Sequence, residues 1–110
     1  HGIAHFVPVV VSNISPVKIK SERMVYFGLI LNEMITNTIA HGKTRNHAVK
    51  INVETNVQGY RFDYRDGSVH DPDASQGTGS VLIRQLVQRV GGSGFKFDAA
   101  TGHYQFHFYA

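Results

Sequence analysis

Leu29-Ile-Leu-Asn-Glu-Met-Ile-Thr-Asn-Thr-Ile-Ala-His41-Gly42 places Glu33, Asn37 and His41 four residues apart in a largely apolar run. A helix turns in about 3.6 residues, so these three side chains line one face. A carboxylate, an amide and an imidazole are costly to bury without partners. Two readings follow: a solvated polar stripe, or one wall of a site.

A second stretch weighs on that choice. Gly77-Thr-Gly79-Ser-Val-Leu-Ile-Arg-Gln-Leu-Val-Gln-Arg-Val-Gly91-Gly92 is a short glycine-rich loop that runs into an amphipathic helix. Small residues let backbone approach a ligand, and the free N–H groups of a first helical turn attract anions. Alone, Gly-x-Gly before a helix is most often just a turn. Downstream of the Glu/Asn helix, it makes a pair.

At 110 residues the chain suits one domain, taken as residues 1–110. It contains no cysteine, which excludes disulfides and thiolate metal sites and fits a reducing compartment. No apolar run reaches the roughly 20 residues of a membrane span, and no signal-peptide pattern opens the chain. These features predict a cytoplasmic domain without membrane contact. The net charge of +3 suits an anionic ligand such as a nucleotide. Its lysines and arginines are scattered and do not interleave with aromatics, so nucleic acid is not expected as a partner.

Phe6 to Val11 reads as a strand, and Val17-Lys-Ile-Lys20 alternates like a half-buried edge strand. Ser21 is a suitable N-cap, with Glu22 near the positive end of the helix dipole. The helix should run to His41 and stop at Gly42. Met24, Phe27, Leu31, Met34, Ile35 and Ile39 should pack on a sheet. Thr44 to His47 reads as a loop.

Ala48 to Glu54 and Tyr60 to Arg65 alternate with period two around a turn at Asn56 to Gly59. Tyr60, Phe62 and Tyr64 fall on the buried face. Asp66 to Ser75 is rich in Asp, Pro, Gly and Ser, hence a loop. Ser80 is expected to cap the second helix, with Leu82, Ile83, Leu86, Val87 and Val90 as its buried stripe. Phe95 to Asp98 and His103 to Tyr109 form a closing hairpin, with Tyr104, Phe106 and Phe108 inward. His103 and His107 fall on the other face, as solvated residues rather than metal ligands. The order predicts an α+β two-layer sandwich, with helices on one face of a mixed sheet.

The run from Leu29 to His41 resembles the N box of the histidine-kinase-like ATPases, the superfamily that includes gyrase, the Hsp90 chaperone and MutL. Gly77-x-Gly79, Leu82, Leu86-Val87 and Gly91-Gly92 resemble that family's second glycine box. The likeness spans residues 17 to 109 and is nearest to the catalytic, ATP-binding domain of bacterial sensor histidine kinases with a short lid. It implies the Bergerat-type ATPase fold, with ATP and Mg²⁺ as ligands. Asn37 matches the asparagine that holds Mg²⁺ at the phosphates, a role suited to a hard amide oxygen. Glu33 matches the acidic residue that acts near the metal and the attacked phosphate, by general-base or water-positioning chemistry. His41 matches a basic residue at the end of the box, although a histidine at a helix C-terminus also suits the dipole. Gly77 and Gly79 match the lid glycines at the phosphates.

The first glycine box departs from the pattern. Asp-x-Gly-x-Gly is the family form, with the aspartate accepting from the adenine amino group. Here the stretch is Arg65-Asp66-Gly67-Ser68-Val69. Gly67 fits, Arg65 stands at the aspartate position, and Val69 replaces the second glycine. Arginine has donors only and cannot accept. A slip of one residue lets Asp66 serve instead.

Two further differences mark the chain. The lid between Gly67 and Gly77 is short, and His5 does not match the family's phosphoacceptor box. The resemblance thus implies a catalytic domain that passes the γ-phosphoryl of Mg-ATP to a histidine on a separate dimerisation and phosphoacceptor domain, with a response regulator downstream. The alternative is a domain that keeps the fold, has lost the nucleotide, and serves as a regulatory module. An anti-sigma-type serine kinase, which shares the N box, is a third option.

Overall fold

In a computed structural model, the structure describes residues 9–14, 18–41, 49–57, 59–67, 69–70 and 78–109, with positions 9–14, 41 and 78–80 described by backbone alone. The elements are β1 (Val9–Ile14), α1 (Ser21–His41), β2 (Val49–Asn56), β3 (Gly59–Arg65), α2 (Thr78–Arg89), β4 (Ser93–Asp98) and β5 (His103–Phe108). The five strands form one sheet in the order β1-β2-β3-β5-β4. β1 pairs parallel to β2, and the other three pairings are antiparallel. This is the mixed-sheet α+β sandwich that the sequence predicts.

Alternation settles which face is covered. Ile51 and Val53 on β2, Phe62 and Tyr64 on β3, and Tyr104, Phe106 and Phe108 on β5 are all buried. Helix α1 meets them with Ile30, Met34 and Thr38, spaced four apart. The Phe27 ring lies edge-on to Phe108 at 4.8 Å and near Phe106 at 6.2 Å. Helix α2 adds Ile83, Leu86, Val87 and Val90 to the same core. Each such fully buried aliphatic side chain contributes about 1.5–3 kcal/mol.

Helix α2 ends in a paired turn. Gly92 N–H donates to the Val87 carbonyl and Gly91 N–H to the Gln88 carbonyl, with Gly91 at φ +72°. This is the Schellman arrangement. A Cβ on Gly92 would stand 2.6 Å from Val87 Cγ1, so only glycine closes it.

Several boundaries differ from expectation. Lys18 to Lys20 form no strand, and Val17 lies outside the described residues. The Lys20 carbonyl already accepts from the Arg23 and Met24 amides. Lys20 therefore occupies the cap position, and Ser21 is the first helical residue. The first strand is described over Val9–Ile14, continuing past the expected end at Val11, while Phe6 to Pro8 lie outside the described residues. Helix α2 begins at Thr78, which puts Ser80 inside its first turn and not at the cap.

Met24 and Ile39 are each 54% exposed and Leu82 is 39% exposed, so none belongs to the core. In α1 the buried line through Ile30, Met34 and Thr38 turns Met24 and Ile39 outward. The expected loop at Thr44 to His47 lies outside the described residues, as does most of the one at Asp66 to Ser75.

Candidate functional site

Strand β3 ends at Arg65, and alternation continues one step further. Phe62 and Tyr64 face the helices, and so does the next residue of that parity, Asp66, which is fully buried. Arg65 is exposed and lines a hollow of about 200 Å³ with Lys50, Asn52, Arg61 and Asp63, on the sheet face away from the helices. The arginine expected to confront an adenine amino group therefore points to the other side of the sheet. The carboxylate against the N-box helix is Asp66. Gly67 follows at φ +69°, a conformation that favours glycine and turns the chain after the aspartate.

Asp66 Oδ2 accepts from the Thr38 hydroxyl at 2.7 Å and from His70 Nε2 at 2.6 Å. Tyr64 and Thr38 hydroxyls lie 2.7 Å apart. Thr38 has one proton, whose acceptors are the Asp66 carboxylate and, at 3.1 Å, the Met34 carbonyl, so Tyr64 is the donor to Thr38. The bonds thus run from Tyr64 to Thr38 to Asp66, with His70 closing from the other side. Burial raises the Tyr64 pKa well above the usual tyrosine range, and the Asp66 charge adds to the effect. The Tyr64 hydroxyl therefore keeps its proton and can donate.

Asn37 stands beside this cluster. Its Nδ2 donates to the Tyr104 hydroxyl at 3.1 Å. Burial, chiefly, pushes the Tyr104 pKa up to about 12, with smaller contributions from the Asp66 and Glu33 charges. Glu33 and Asn37 are both half-buried and one turn apart on α1. With Nδ2 committed to Tyr104, the atom that Asn37 offers a cation is its carbonyl oxygen. An amide oxygen and a nearby carboxylate form a hard donor set that fits Mg²⁺, which keeps several waters and takes phosphate oxygens. Among the described residues no three His, Cys, Asp or Glu side chains converge as a fuller metal site.

The site residues read from the sequence divide accordingly. Asn37 bonds the Tyr104 hydroxyl, the Glu33 and Asp66 charges act on that hydroxyl, and Gly67 follows Asp66 in the chain. Gly79 is in the first turn of α2. Gly77 and the His41 side chain lie outside the described residues. His103 is less solvated than expected: its Nε2 bonds to Asp63 Oδ1 at 2.8 Å.

The sequence reading missed Thr38, His70 and the hydroxyls of Tyr64 and Tyr104. Thr38 carries a usable signal, being polar on the buried Ile30–Met34 line. The tyrosines carry a weaker one, because a buried hydroxyl needs a partner. His70 carries none.

No family model and no curated protein matches the chain. Solved structures do. The histidine kinase domain of a blue-light-activated histidine kinase from Erythrobacter litoralis aligns with TM-score 0.72 and 21% identity, over 91% of this chain and 53% of that one. The Acinetobacter baumannii histidine kinase AdeS aligns with TM-score 0.66 and 17% identity, over 91% and 51%. Full-length ShkA, solved with AMPPNP, aligns with TM-score 0.62 and 20% identity, over 91% and 24%. The chain thus spans about half or less of these structures. At such identities the likeness is one of fold, and that fold is the α+β fold of histidine-kinase catalytic domains.

Proposed function

We propose that residues 1–110 are the ATP-binding catalytic domain of a two-component sensor histidine kinase, acting in the cytoplasm without membrane or nucleic-acid contact. It would bind Mg-ATP and donate the γ-phosphoryl to a histidine on a dimerisation and phosphoacceptor domain, which then serves a response regulator. The bond from the γ-phosphorus to the β-bridging oxygen breaks, a bond to the histidine nitrogen forms, and ADP leaves. The observation that carries the reading is Asp66: a fully buried carboxylate on the helix-facing side of the sheet, held by the N-box residue Thr38.

In this reading Asp66 accepts from the adenine amino group. Asn37 presents its amide oxygen at the phosphates, and Glu33 orients the attacking group or takes its proton. His41, Gly67, Gly77 and Gly79 border the nucleotide, and the N-terminus of α2 offers N–H donors to phosphate. Mg²⁺ supplies charge neutralisation as the phosphoryl moves.

A second reading, a domain that keeps the fold but serves as a protein-interaction module, is favoured by the same aspartate. Two donors already engage Asp66 Oδ2. Calorimetric titration of the domain with Mg-ADP and Mg-ATP separates the two. The kinase reading expects micromolar to submillimolar, Mg²⁺-dependent binding. Silence at millimolar nucleotide, with the protein folded, would leave only the module.

A further inference from the structure

His70 occupies a position that an apolar side chain would fill as well. It is 1% exposed, and its ring packs edge-on against Phe97 at 5.4 Å. Among the described residues its Nδ1 is the one buried side-chain polar atom without a hydrogen-bond partner. Burying an imidazole with one nitrogen unsatisfied is unfavourable. What offsets that cost is the 2.6 Å bond from Nε2 to Asp66 Oδ2.

The backbone fixes both partners. Asp66 N–H donates to the Gly102 carbonyl at 3.1 Å, and His70 N–H donates to the Ala99 carbonyl at 2.7 Å. Both ends of the 66–70 segment are thereby tied to the β4–β5 turn. Thr38 reaches Oδ2 from the helix and His70 reaches it from the loop. Two donors from different elements on one oxygen constrain the rotation of the carboxylate plane more tightly than either does alone.

We propose that His70 is a positioning residue for base recognition: its Nε2–H, with Thr38, sets the Asp66 carboxylate in the orientation that distinguishes an adenine amino group from a guanine carbonyl. The proposal rests on the nucleotide reading of Asp66. Adenine carries a donor where guanine carries an acceptor, so an aimed carboxylate favours the first and repels the second.

The test measures Mg-ADP and Mg-GDP affinities of the whole chain for the wild type, H70F and H70Q. Phenylalanine keeps the packing on Phe97 and removes the donor, whereas glutamine keeps a donor. H70F is expected to weaken Mg-ADP binding about tenfold with Mg-GDP unchanged, and H70Q to restore most of the preference. Equal losses for both nucleotides, or none, would overturn the positioning role while leaving the nucleotide reading intact. A wild type that binds neither nucleotide overturns both. Should H70F not fold, the ring nitrogen resonances of wild-type His70 decide: they shift with Mg-ADP and not with Mg-GDP, and a ring that ignores Mg-ADP overturns the inference.

Discussion

Asp63 and Asp66 are three residues apart and both buried, at 4% and 0% exposure, yet they face opposite sides of the sheet. Asp63 lies on the open face. Its Oδ2 accepts from Arg61 Nε at 3.0 Å and its Oδ1 from His103 Nε2 at 2.8 Å, while Arg61 also reaches Glu54. These partners sit on strands, opposite or next to one another in the ladder, and a guanidinium balances the carboxylate directly. Asp66 lies just past the strand end. A hydroxyl and an imidazole hold it, and one of them comes from a loop. The first arrangement stiffens a sheet. The second sets a buried carboxylate beside α1, at the place where the proposed ligand chemistry is expected.

The sharpest contrast comes from removing each carboxylate. Asp66→Ala strands the His70 N–H in the interior, leaves the Thr38 hydroxyl only the Met34 carbonyl as acceptor, and should cost about 1–3 kcal/mol by urea melting, with loss of Mg-ADP binding. Asp63→Asn should cost about 1 kcal/mol or less, since Arg61 is 39% exposed and stays solvated, with nucleotide affinity intact. Equal effects on binding would erase the distinction.

A middle-sized effect probes the tyrosines that line the inner site. The folded pKa of Tyr104 is raised to about 12 from an ordinary 10.0. The folded state therefore binds more protons than the unfolded state above pH 10. The Tyr104 contribution is fully present below pH 10 and is lost as pH climbs toward 12. Tyr104→Phe should cost about 0.5–1.5 kcal/mol near neutral pH, through the lost bond to Asn37. It should also flatten the alkaline fall in melting temperature. An unchanged alkaline slope would assign that fall to other groups.

The smallest effect concerns Arg65. It stands directly across from Lys50 in the β2–β3 ladder. Like charges in that relation oppose each other, by about 0.2–1 kcal/mol. Arg65→Asp should recover a gain of that order and leave Mg-ADP affinity where it was. Tighter nucleotide binding in that variant would mean that the side chain reaches the inner face after all.

Much of the fold is legible in the sequence. Helix α1 is readable as a helix, although Met24 and Ile39, expected inward, turn outward, and β3 and β5 alternate so plainly that their inward residues can be named. Spacing alone puts Glu33 and Asn37 on one face of α1, where both lie half-buried. The aspartate was harder because two rules conflicted. Motif spacing pointed to Arg65, whereas the parity of Phe62 and Tyr64, extended by one step, points to Asp66. Parity prevailed, since a one-residue shift in a strand exchanges its faces. His70 lay beyond either rule. Its place depends on a loop docking onto a turn about thirty residues later, a tertiary contact without local pattern.

That docking has a consequence for exchange with solvent. The amides of Asp66 and His70 are held by carbonyls of the β4–β5 turn, at Gly102 and Ala99. Neither belongs to a strand ladder, so each should exchange deuterium only when the loop parts from the turn. Two peptide protons outside regular structure thus act as a gauge of how often that junction opens.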